Sequence, residues 1–120
     1  MVKKTNNSKD LSQIMVKAIE EKKGQNIKVL DLRKLDNAVT DFFVICEAES
    51  GVQVNAIFES IDEIVKKELG EDPFQIEGRE DSNWILMDYV NVVANIFKPE
   101  ARKFYALEAL WADAEVTTYK

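Results

Sequence analysis

The chain has 120 residues, 46% of them apolar and 32% charged, and carries a formal net charge of −6. That length suits one domain with its own core, and that balance excludes a disordered chain. The apolar runs are too short to cross a bilayer, and the negative charge disfavours a direct grip on nucleic-acid phosphates while favouring basic partners.

The opening Met1-Val2-Lys3-Lys4 passes straight into Thr5-Asn6-Asn7-Ser8 without an apolar leader, and the single cysteine, Cys46, has no partner within the chain. Both features predict a cytoplasmic protein. Residues 1–8 read as a frayed polar start that ends on Ser8, a residue able to cap a helix. In the helix that follows, Leu11, Ile14, Met15, Ala18 and Ile19 keep helical spacing, and Gly24 stops it. Residues 27–32 read as a strand, 33–38 as a polar loop and 41–48 as a second strand. Ser50-Gly51-Val52-Gln53 has the form of a capping box, opening a helix with Val54, Ile57, Phe58, Ile61, Val65 and Leu69 on one face and Gly70 at its end. Pro73 opens a short edge strand over 73–78, followed by stronger strands over 84–89 and 92–97. Pro99 starts a last helix with Ala101, Phe104, Tyr105, Glu108 and Trp111 on one stripe, and 112–120 reads as a polar tail. The order α-β-β-α-β-β-β-α predicts a single α/β domain spanning 1–120: one mixed five-stranded sheet with helices packed against it. Strand 41–48 and the strand after the second helix are placed to run parallel.

The residues for ordinary catalysis are missing. There is no histidine, which removes the commonest general base and most transition-metal sites. Cys46 lies in the apolar run Phe42-Phe43-Val44-Ile45 and reads as a buried structural thiol. Gly24, Gly51, Gly70 and Gly78 are scattered, so no phosphate-cradling loop occurs. Glu47 and Glu49 have the spacing of paired metal-binding acids, but no Gly-Ser turn precedes them. They read as solvated acids at a strand end. The expectation is no enzyme, no catalytic residue, no metal and no cofactor.

One strand is unusual. Alternation along Trp84-Ile85-Leu86-Met87-Asp88-Tyr89 puts Trp84, Leu86 and Asp88 on one face and Ile85, Met87 and Tyr89 on the other. The first face can pack beneath a helix or stand open as a binding surface, since tryptophan is enriched among interface hot spots.

The same segment resembles the Iojap family, whose bacterial members are ribosomal silencing factors. Glu77-Gly78, Trp84 to Tyr89, Val92-Val93, Ile96-Phe97, Glu100-Ala101-Arg102, Phe104-Tyr105, Leu107-Glu108 and Leu110-Trp111 carry the likeness. Thr40 to Cys46 and Gln53-Val54-Asn55-Ala56-Ile57 match earlier motifs in the same order. The resemblance implies a nucleotidyltransferase-like sheet without the catalytic acids. It also implies binding to ribosomal protein L-fourteen of the large subunit, which blocks joining of the small subunit and represses translation. The implied partner-binding residues are Trp84, Leu86 and Asp88, with Tyr89 beside them; Arg102 and Tyr105 also match but read as structural. No sequence-specific nucleic acid and no membrane is implied, and the free chain can form a homodimer. Three departures stand out: Val90-Asn91 replaces a usual Gly-Asp, Asn95 stands where histidine is frequent, and Glu47 to Gly51 replaces a small, polar turn. The alternatives are a large-subunit assembly factor and an atypical nucleotide-binding or nucleotidyl-transferring enzyme.

Overall fold

The structure, a computed structural model, describes residues 7–119. Helix α1 spans Ser8–Glu21, and its cap is Asn7, whose side-chain oxygen accepts from the Asp10 amide at 2.7 Å. Residues 7 and 8 are therefore part of an ordered helix start, one residue earlier than the sequence suggested; residues 1–6 lie outside the described residues. Ser8 instead donates its hydroxyl to Asp41, at 2.8 Å, tying the helix start to the sheet. Strands β1 (Gln25–Asp31) and β2 (Phe42–Glu47) form an antiparallel pair. Helix α2, Gly51–Leu69, begins on Ser50, whose hydroxyl accepts from the Gln53 amide, and ends on Gly70 at φ 67. The capping box is half formed. The Gln53 side chain donates to the carbonyls of Lys22 and Lys23 and so pins the α1 exit to the α2 entry.

Strands β3 (Gln75–Glu77), β4 (Trp84–Asp88) and β5 (Val92–Phe97) follow, then helices α3 (Pro99–Tyr105) and α4 (Leu107–Leu110) and strand β6 (Glu115–Tyr119). Two expectations are corrected here. The stretch expected as one helix is broken at Ala106, which takes the left-handed φ of 50. The expected polar tail supplies a sixth strand, since Glu115 to Tyr119 pair with Asp31 to Ile27 of β1. Its Val-Thr-Thr-Tyr run is rich in β-favouring residues and lacks only a two-sided apolar pattern, because an edge strand does not need one.

The sheet order is β3-β4-β5-β2-β1-β6. The parallel partner of β2 is β5, in register from Phe42↔Val92 to Glu47↔Phe97, and not β3, the strand directly after α2. Burial decides this. All six residues of β5 are buried, which suits a strand covered on both faces, whereas all three of β3 are exposed and belong at an edge.

Alternation then builds two cores. On one face Val44, Cys46, Ile85, Met87 and Ile96 meet Leu11, Met15 and Ile19 of α1 and Val54, Ile57 and Ile61 of α2. On the other, Leu30, Leu32, Phe43, Ile45, Val93 and Phe97 form a smaller core. It is covered only in part, by Ala101, Leu107 and Trp111 together with Leu35 and Ala38. Trp84 and Leu86 lie at the rim of that thin cover, half-buried.

Candidate docking surface on β4

The structure brings Trp84, Leu86 and Asp88 to one face of the sheet, each half-buried, while Ile85 and Met87 are fully buried on the other. Tyr89 is separated from them. It is 5% exposed, packs in the larger core, and its hydroxyl has no hydrogen-bond partner among the described residues. Burial first, and then the nearby Asp62, Asp72 and Glu71, push its pKa well above the usual tyrosine value. Tyr89 is thus a core residue, and any effect it has on a partner passes through the strand.

Trp84 is held on three sides. Its ring stacks on Phe97 with centroids 5.0 Å apart and leans on Tyr105 at 4.5 Å. Its indole nitrogen donates to Asn95 Oδ1 at 3.0 Å. Asn95 is 1% exposed and returns its own amide to the Val93 carbonyl at 3.3 Å. The departure at Asn95 therefore serves as the tether of the central aromatic. Alternation along β5 could have found it, because Asn95 shares a face with Val93 and Phe97, both in the smaller core. Tyr105 of α3 is half-exposed and packs its ring against Trp84.

Beside these rings lies a shallow cleft of 290 Å³ lined by Glu77, Gly78, Asp81, Asn83, Trp84, Leu86 and Tyr105. Asp81 accepts from the Asn83 amide and Glu77 from the Gln75 side chain, and neither makes an ion pair among the described residues. Gly78 is required where it is: its φ is 87, and a Cβ there would stand 1.9 Å from the Trp84 carbonyl oxygen. Close approach of the turn to β4 is what places Glu77 beside the tryptophan.

Arg102 is structural, and Glu47 is not the solvated acid expected. Arg102 is 8% exposed, and its guanidinium donates to Glu47 at 3.0 Å, to Glu108 at 2.9 and 3.2 Å, and to the Asn26 carbonyl at 2.7 Å. Burial alone would lower the Arg102 pKa, but Glu108 and Glu47 outweigh it and the net shift is upward. Hydrogen bonding from Arg102 holds the Glu108 carboxyl below its ordinary range. Glu49 is exposed just before the Ser50 cap of α2, whereas Glu47 is taken up by Arg102. Cys46 is fully buried, and burial pushes its thiol up to about 12, which makes it inert as a nucleophile. Among the described residues no group of acids or cysteine is arranged to hold a metal ion, and no helix is long and apolar enough to cross a membrane.

The β4–β5 connection carries another departure, Val90-Asn91. Val90 sits at φ 74, with the Asn91 amide donating to the Tyr89 carbonyl across it, a strained three-residue turn for a β-branched side chain. Asp88 Oδ1 accepts from the Val90 amide at 2.7 Å, and Thr40 donates to the Val90 carbonyl at 2.8 Å. These contacts hold the turn despite its strain. Val90 is 57% exposed, so Val90→Gly loses little packing and relieves the backbone. Strain relief of about 1–3 kcal/mol, less about 1 kcal/mol of added unfolded-state entropy, leaves a net gain of about 1 kcal/mol. Thermal unfolding should show a rise of about 4 °C; a fall would mean that Val90 makes contacts worth more than its strain.

A family model described as "Ribosomal silencing factor during starvation" matches residues 5–120. The chain is 34% identical over 107 residues to the ribosomal silencing factor of Halalkalibacterium halodurans, covering 89% of this chain and 90% of that one. It is 35% identical over 103 residues to the chloroplast protein Iojap of Zea mays, covering 83% of this chain and 42% of that protein. A crystal structure of a protein from Chromobacterium violaceum superposes with a TM-score of 0.83 at 32% identity, covering 89% of this chain and 88% of that one. On sequence and fold together, this chain belongs to the ribosomal silencing factor family.

Proposed function

We propose that the chain docks on the large ribosomal subunit through ribosomal protein L-fourteen, on the face that meets the small subunit, and represses translation in the cytoplasm by blocking subunit joining. The observation that carries this reading is the half-buried Trp84–Leu86–Asp88 face with two unpaired acids beside it, on a chain of net charge −6. An apolar centre with an acidic rim suits a basic protein surface. The block is steric, so no reaction is needed and no nucleotide turnover is expected.

The test uses purified, mature subunits. Preincubating large subunits with the chain should shift joined ribosomes to separate subunits on a sucrose gradient, and crosslinking should join the chain to ribosomal protein L-fourteen. Unchanged joining at saturating chain, with binding confined to immature particles, would replace silencing by an assembly role. Association should also slow as salt rises, because added ions screen the attraction between an acidic domain and a basic surface. Stopped-flow rates across a salt series check this; a flat series would remove charge from the encounter.

A further inference from the structure

We propose that the docking surface runs on from β4 onto α3, with Phe104 as a second anchor for the same basic partner. This rests on the docking reading above and adds a residue and an element to it. Exposure alone would carry nothing, since single exposed apolar side chains are ordinary. Phe104 is 81% exposed, as are Val39 and Phe74 to similar degrees. What separates it is its support. Its ring meets Tyr105 edge-on at 5.1 Å, Tyr105 leans on Trp84, and Trp84 stacks on Phe97, which is 1% exposed. Four rings thus run in series from the core to solvent.

The backbone beneath is fixed as well. Helix α3 ends on Ala106 at φ 50, whose amide donates to the Arg102 carbonyl, and the Arg102 side chain is clamped by Glu47 and Glu108. An aromatic held this way loses little freedom on binding, which is what makes a rigid ring an effective anchor. Glu77 and Asp81 border the cleft that Trp84 and Tyr105 line, so the combined surface is aromatic at its centre and negative at its edge. That charge favours a basic protein over a second copy of this acidic chain, whose own acids would face it.

The experiment measures binding of the full chain to purified large subunits alongside thermal unfolding. Phe104→Ala should weaken binding by about fivefold to thirtyfold, with the melting temperature moved by no more than about 2 °C because the side chain is exposed. Phe104→Tyr should keep binding within about twofold of the parent, and Val116→Ala, at the opposite sheet edge, should leave it unchanged. A photoreactive phenylalanine analogue at position 104 should crosslink to a ribosomal protein. If Phe104→Ala binds like the parent while Trp84→Ala does not, the surface ends at β4 and this inference falls alone. If both bind like the parent, the docking reading falls and takes this one with it. If Phe104→Ala alters only self-association of the free chain, the occupant is a second copy and the proposal is overturned.

Discussion

Trp84→Ala is expected to weaken large-subunit binding by roughly thirtyfold to a thousandfold, the range that follows from a hot-spot loss of about 2–4 kcal/mol. The structure adds a stability cost. The ring is partly buried, packed against Phe97 and Tyr105, and its indole nitrogen is bonded to Asn95. Truncation of a fully buried aromatic costs about 3–5 kcal/mol, so about 2 kcal/mol is expected here, or about 8 °C in melting temperature. A folded variant with lost binding is therefore the expected result. Asp88→Arg isolates the binding term better. Its carboxylate makes one neutral-donor bond, to the Val90 amide, worth about 1 kcal/mol. The reversed charge would face a basic partner directly. Both proteins should be compared by sedimentation with large subunits and by thermal unfolding. Parent-like binding in a folded Asp88→Arg protein would refute the docking face.

Arg102→Met is expected to destabilise the fold strongly, because it strips the partner from two carboxylates and the Asn26 carbonyl at once. Breaking a buried ion pair from one side costs about 3–5 kcal/mol. The lower end applies, since the Glu108 side chain is 31% exposed, can recover water and keeps its existing ion pair with Lys28. A fall of about 12 °C in melting temperature follows. The pH dependence has a definite sign. Glu108 is held below its ordinary range in the folded chain, so its contribution is fully present above the ordinary glutamate pKa and is lost as pH falls through the depressed value. The parent should lose stability on acidification that Arg102→Met does not lose, and the two melting curves should converge toward low pH. Parallel curves would show that Arg102 stabilises through packing alone.

Much of the fold follows from local pattern. The spacing in α1 and α2, the cap at Ser50, the left-handed stop at Gly70 and the alternation along β4 all report a backbone preference or a buried face that neighbouring residues suffice to express. The face shared by Trp84, Leu86 and Asp88 was legible for the same reason, as was the buried thiol of Cys46. Family membership was legible because ordered motifs survive where whole faces are constrained.

Other features depended on what lies far away in the chain. Strand β6 forms because β1 offers an open edge, and an edge strand needs only main-chain partners on one side, so no apolar pattern marks it. The break at Ala106 gives Arg102 its reach to Glu108, six residues on, and no local signal distinguishes that alanine from one in a continuous helix. Glu47 looks like a free acid until α3 brings Arg102 to it across 55 residues. Sequence alone determined which residues could share a face. Only the tertiary structure decided which faces were covered, which charges were paired and which aromatic was left at the surface, because burial and charge pairing are properties of segments brought together by folding and not of any one segment.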